Sequence, residues 1–152
     1  MRISSRGRYG LQMMAEFARN PDMPTKIWEV SQRQGISEKY LEQIVSSFNK
    51  AGLVKSIRGA QGGYVLSRPA QEYSIGEILR VAEGSLAPVS CLDADSMPCG
   101  NEKYCASRSL YKRIEDAINE VVDNYTLAQF LDEECISSRH INHSISICRK
   151  AK

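Results

Sequence analysis

The run from Ile27 to Arg68 constrains the fold more than any other part of the chain. IWEVSQRQ carries a short helical pattern that stops at Gly35. A second amphipathic pattern starts after Ser37, a residue type suited to capping a helix. It turns Tyr40, Leu41, Ile44, Val45 and Phe48 to one side and ends at Ala51-Gly52. VKSIRGAQGGYVLSR follows at once. Val54 to Ile57 and Tyr64 to Leu66 read as two short strands around a glycine-rich, basic turn. Two short helices joined at a glycine, then a hairpin with a basic tip, form a helix-turn-helix with a wing.

The flanking segments are helical. Ser4 or Ser5 can cap a helix with Leu11, Met14, Ala15 and Ala18 at i, i+3, i+4, i+7, widened by Tyr9, Met13 and Phe17. Asn20-Pro21 ends it. Ser74 with Glu77 makes a capping box for a helix bearing Ile75, Ile78, Leu79 and Ala82, closed by Gly84. After a cysteine-rich stretch, SLYKRIEDAINEVVDNYTLAQFL reads as one long helix. Its apolar stripe is Leu110, Ile114, Ala117, Ile118, Val121 and Tyr125. Periodicity is weak beyond about residue 132, where fraying is expected. The expected fold is mainly α with a small β wing: a winged helix-turn-helix over 1–84, a cysteine-rich loop over 85–106, a long dimerisation helix over 107–131 and a tail over 132–152.

Duplex DNA explains the residue types on the outward faces. Ser37, Glu38, Lys39, Glu42, Gln43, Ser46, Ser47 and Lys50 lie on the polar side of the third helix, with Tyr40 at its edge. Such side chains reach base edges and phosphates in a major groove. Gln43 suits adenine, Glu42 suits a cytosine amino group, and Lys39 and Lys50 suit phosphate. The wing tip holds Arg58, Gly59, Gln61 and Gly62 and is thin enough for a minor groove. Arg6 and Arg8 stand at the start of the first helix, placed for phosphate. Charge is distributed accordingly. Residues 1–68 carry 11 Lys/Arg against 5 Asp/Glu, whereas residues 69–152 carry 9 against 13. A basic N-terminal half points to a polyanion.

Other functions find no motif here. There is no glycine-rich phosphate loop opening a helix and no nucleophile elbow, and the only two histidines, His140 and His143, lie near the C-terminus. No apolar run approaches a membrane span, and no apolar segment follows the basic N-terminus, so a cytoplasmic protein is expected. In that compartment thiols stay reduced, and clustered cysteines bind metal or sense redox state.

CLDADSMPCGNEKYC places Cys91, Cys99 and Cys105 in a C-x7-C-x5-C spacing, with Pro98 and Gly100 allowing tight turns. Thiolates are the preferred protein ligands of iron–sulfur clusters. Zinc takes three cysteines plus one further ligand, although its structural sites commonly use a C-x2-C knuckle that is absent here. Three free thiols are the third alternative. Residue types and spacing leave all three open.

The segments ISSRGRYGL, SEKYLEQIV and KAGLVKSIRGAQGGYVLSRP, with the three-cysteine loop, resemble the IscR family of bacterial transcriptional regulators, whose relatives include NsrR, RirA and CymR. The resemblance covers residues 1 to about 131. It implies a homodimer that binds a double-stranded operator, a long crossing dimerisation helix, and an iron–sulfur cluster (2Fe–2S or 4Fe–4S) on Cys91, Cys99 and Cys105. The fourth ligand departs from the pattern. Arg108 stands where IscR-like members place a histidine, and Arg8 stands at or beside the position of an acidic ligand in NsrR-like members. Asp93, Asp95, Glu102, Cys135, His140, His143 and Cys148 are the remaining protein candidates. A CymR-like regulator of cysteine or sulfur metabolism, controlled by a protein partner, is the alternative the resemblance also carries.

Overall fold

A computed structural model describes residues 3–93, 96–97 and 99–133. The element order is α1 (Ser5–Arg19), α2 (Ile27–Gln34), α3 (Glu38–Lys50), β1 (Val54–Ile57), β2 (Gly63–Leu66), α4 (Ile75–Glu83) and α5 (Ala106–Asn124), with short 3-10 turns between. The expected helices and strands form over the first seventy residues. Ser4 caps α1, Ser37 caps α3 and Ser74 caps α4, each by accepting a first-turn amide. Gly35 takes the left-handed conformation (φ 66°) that turns α2 into α3. β1 and β2 pair antiparallel, Val54 opposite Leu66 and Ile57 opposite Gly63. Thr25 adds a bridge to Tyr64, so the segment before α2 is stitched to the wing.

α1 lies at the centre. Its buried Met13, Met14 and Phe17 join Leu41, Ile44 and Phe48 of α3 and Ile78 of α4 in a single core. Tyr73 is fully buried, and its hydroxyl donates to Leu53 O (2.6 Å) while accepting from Ser67 N and Arg68 N. That one hydroxyl satisfies three backbone groups where the hairpin meets α4. The Ser74–Glu77 box forms only by half. Ser74 accepts from Glu77 N, but the Glu77 carboxylate turns to Arg68.

Two expectations need correction. The long helix is not continuous. α5 stops at Asn124, Tyr125 is extended, and residues 127–133 are helical again. The break lets Ile75 N donate to Tyr125 O (2.8 Å) and Leu127 N donate to Tyr73 O (3.0 Å), and it drives Leu127 fully into the core. Thr126 and Gln129 cap the second stretch reciprocally, a Thr-x-x-Gln box that the uninterrupted apolar periodicity conceals. Tyr40 is not wholly inward. It is half-buried, edge-on to Tyr9 with ring centroids 5.9 Å apart. The expectation of a frayed tail falls outside the described residues.

Glu16 is a buried carboxylate at only 2 % exposure. It pairs with Arg19 on its own helix and accepts from Arg33 Nη1 (2.9 Å) and Gln34 Nε2 (2.7 Å) of α2. Burial pushes its pKa up, but hydrogen bonds from Arg19, Gln34 and Arg33 outweigh this, and the net shift is downward. A depressed folded-state pKa stabilises the fold above the ordinary carboxylate range and loses that contribution as pH falls through the folded value. Glu16→Gln is expected to lower unfolding free energy by about 1–2 kcal/mol at neutral pH. Urea titrations should show the gap between variant and wild type closing as acidity protonates Glu16; a gap independent of pH rules this account out.

Candidate nucleic-acid interface and cysteine loop

The outward face of α3 is polar and exposed. Glu38, Lys39, Glu42, Gln43, Ser46 and Lys50 all stand free of the core. Their spacing follows from the inward set Leu41, Ile44, Val45 and Phe48, which leaves the opposite face to solvent. Ser37 is exposed but occupied as the helix cap, its Oγ accepting from Tyr40 N. The wing tip projects Arg58, Gly59 and Gln61 outward, with Gly59 at φ 110°. Gly62 is buried, and a Cβ there would meet Ile57 O at 2.3 Å, so Gly62 shapes the turn rather than offering a surface. Lys26 Nζ donates to Ala60 O (3.0 Å) and ties the tip to the start of α2.

The two arginines of α1 differ. Arg8 is exposed, over the Tyr9 ring at 5.6 Å and bonded to Ser5 Oγ. Arg6 is half-buried, and its guanidinium donates to Ser47 Oγ on α3 (2.6 Å). Arg6 therefore links the start of α1 to α3. Sequence reasoning missed the group that holds this end of α1. Glu83, the last residue of α4, accepts from Ser4 N (2.9 Å), Ser4 Oγ (2.8 Å) and Gly7 N (3.0 Å). A carboxylate at a helix N-terminus satisfies orphan amides and favours the dipole. Gly7 leaves room for this carboxylate, since a Cβ would stand 2.2 Å from Glu83 Oε1 and displace it. Nothing local in the sequence signals a contact between residues 76 apart in the chain.

The cysteine loop begins immediately after Glu83 and Gly84. Cys91 lies in a 3-10 turn (Ser90–Leu92) and is half-buried, Cys99 is exposed, and Cys105 is the N-cap residue of α5. All three thiols are free. The hydrogen bond with Ser107 Oγ (3.5 Å), helped by backbone amides at the helix start, holds the Cys105 thiol below its ordinary value. The donor chemistry fits an iron–sulfur cluster: three reduced thiols on a loop, one at a helix N-terminus. The described residues hold the thiols in an open arrangement, and no three His, Cys, Asp or Glu among them converge as a ligand set. Arg108 pairs with Glu102 at 2.8 Å, which commits that carboxylate. Asp95, Cys135, His140, His143 and Cys148 lie outside the described residues.

Beyond the loop, α5 has two faces. Arg80 of α4 donates to Asn119 (2.6 Å) and Asp123 (2.9 Å), and Val122 packs on the core. Leu110, Ile114 and Val121 remain 55 %, 40 % and 68 % exposed.

Residues 3–133 match the family model described as Rrf2, an iron-dependent transcriptional regulator. The chain belongs to the Rrf2 family. It is 46 % identical over 138 residues to the regulator CymR of Bacillus subtilis, covering 88 % of this chain and 94 % of that one. The structure of CymR, titled the global cysteine regulator of B. subtilis, superposes with a TM-score of 0.73 at 44 % identity, over 88 % of this chain and 98 % of that one. IscR of T. potens gives 0.72 at 34 % identity, over 96 % and 94 %. The mainly helical fold with its two-stranded wing is thus that of the Rrf2 winged-helix regulators, as the resemblance implied. The protein is a transcriptional regulator, not an enzyme. No helix among the described residues is long and apolar enough to cross a membrane.

Glu83→Ala is expected to lower unfolding free energy by about 1–2 kcal/mol, the usual range for a lost helix cap. Hydrogen exchange at the Gly7 amide should accelerate with it. An unchanged exchange rate would show that the carboxylate does not hold this end of α1.

Proposed function

We propose that the protein acts as a cytoplasmic homodimer that reads a pseudo-palindromic operator through two α3 helices and their wings. In this reading Cys91, Cys99 and Cys105 hold an iron–sulfur cluster, 2Fe–2S or 4Fe–4S, whose presence sets DNA binding. The observation that carries it is the placement of three free thiols on the loop that joins two functional elements. One end follows Glu83, which caps α1; the other end is Cys105, which starts α5.

Exposure and residue chemistry support the DNA-facing roles. Gln43 and Glu42 supply base-edge contacts, Lys39 and Lys50 supply phosphate contacts, and Arg58 with Gln61 enters a minor groove. Ser37, Glu38, Tyr40 and Ser46 line the same helix. Arg8 meets backbone phosphate, while Arg6 aligns α3 through Ser47. When bound, the cluster supplies a chemistry sensitive to iron, cluster supply or redox state. The chain converts loop order into geometry. A loop drawn around its ligands pulls on Glu83 and α5 together, which shifts the population of the two-helix spacing that fits an operator.

Dimerisation is supported by α5. Leu110, Ile114 and Val121 form an apolar stripe that no described element covers. Burying such side chains contributes about 1.5–3 kcal/mol each. Leu110→Glu with Val121→Glu is expected to convert a dimer into a folded monomer by light scattering, with helical content retained. A double variant that keeps the dimer mass places the interface elsewhere.

A second reading is supported by the higher identity to CymR, 46 %, than to IscR of T. potens, 34 %. It is a cluster-independent regulator of cysteine or sulfur metabolism under the control of a protein partner. One preparation separates the two. Anaerobic purification is expected to yield a brown protein with stoichiometric iron and sulfide, both lost in Cys91→Ala/Cys99→Ala. A colourless protein under strict anaerobiosis would sink the cluster reading and leave partner control.

A further inference from the structure

Trp28 is the only tryptophan in the chain, and it is 44 % exposed at the second position of α2. α2 turns Ile27 and Val30 inward, and it sends Arg33 and Gln34 to Glu16 on α1. At about 100° per residue, Trp28 and the exposed Gln32 lie roughly opposite Arg33 and Gln34. That side of α2 faces away from α1. α3 is held to α1 by Phe48 and Ile44, which approach Gly10, so its polar face also points away from α1. The wing flanks the same region. Thr25 bridges to Tyr64, and Lys26 Nζ bonds to Ala60 O at the wing tip. The nearest carboxylate on α2, Glu29, is turned back to Lys26 N (3.2 Å).

We infer that Trp28 is a DNA-contacting residue that packs its indole on a deoxyribose of the phosphodiester backbone crossed by α2. The first helix of a helix-turn-helix crosses that backbone while the second enters the groove. An indole matches the chemistry of the strand there, with an apolar body for the sugar and an N–H for a phosphate oxygen. The contact is indifferent to base sequence. It neutralises no charge, so it releases no counterion and leaves the salt dependence of binding unchanged. This inference rests on the DNA-binding reading of α3 and the wing.

The test uses the full-length protein and a fluorescein-labelled, random-sequence duplex of about 30 base pairs at low salt. Binding is followed by anisotropy, and tryptophan accessibility is followed by acrylamide quenching with an unlabelled duplex of the same length. With one tryptophan per chain, the emission reports Trp28 alone. Saturating DNA is expected to reduce acrylamide quenching clearly. Trp28→Ala is expected to weaken binding about fivefold with an unchanged salt slope, and Trp28→Phe to retain part of the loss. Lys39→Ala should instead reduce the slope by about 1. Wild-type binding with unprotected Trp28, or a Trp28→Ala variant of wild-type affinity, overturns the inference and leaves the patch to a protein partner. A wild-type chain that binds no duplex overturns the DNA-binding reading together with it.

Discussion

Glycine at position 10 lets α1 approach the buried Phe48 of α3 more closely than a side chain would permit. A Cβ on Gly10 would stand 2.8 Å from the Phe48 ring, and one on Gly7 would strike the Glu83 carboxylate. The rest of the helical domain depends on this approach. With α1 seated, Phe48 and Ile44 anchor α3, Glu83 caps α1 from α4, and Glu16 reaches the last turn of α2. The faces of α2 and α3 that remain outward are therefore fixed by a single central helix. Interiors this closely packed transmit displacement rather than absorb it.

The same first turn of α1 meets both the end of α4 and α3. The wing and α3 lie on one side of α1. The α4 terminus attaches at its start, α5 packs on α4, and the cysteine loop joins α4 to α5. Arg6 carries the connection inward, since the helix turn that Glu83 caps also donates to Ser47 on α3. Two hydrogen-bonded links, Glu83 to Gly7 and Arg6 to Ser47, thus join the end of α4 to α3. Charge follows this division. The basic excess belongs to residues 1–68, which hold α3 and the wing, and the acidic excess to residues 69–152, which hold the loop and α5.

Much of this was legible in the sequence because its determinants are local. Ser37 and Ser74 mark helix starts, Gly35 marks the turn, and two short strands around a glycine-rich tip mark the wing. The break after Asn124 was not legible from periodicity. Val121, Tyr125 and Leu127 sustain an apolar pattern across a point where the backbone leaves the helix. The Thr126–Gln129 box was the one local signal, and it acts only once the chain has turned away to bond Tyr73 and Ile75. Likewise, Arg6 reads as a phosphate ligand in sequence, but its partner Ser47 is 41 residues away.

The sequence by itself determined the element types, the polar face of the third helix, the basic wing and a loop of three cysteines. These depend on propensity, periodicity and turn chemistry, which act within a few residues. Only the tertiary structure decided which charges stay free to meet a ligand and which hold the fold. Glu16, Glu83, Arg6 and Arg80 all find their partners across helices. It also decided that Leu127 is core while Leu110 and Val121 are not, because burial is set by which helices lie alongside one another. Distance along the chain carries no record of that.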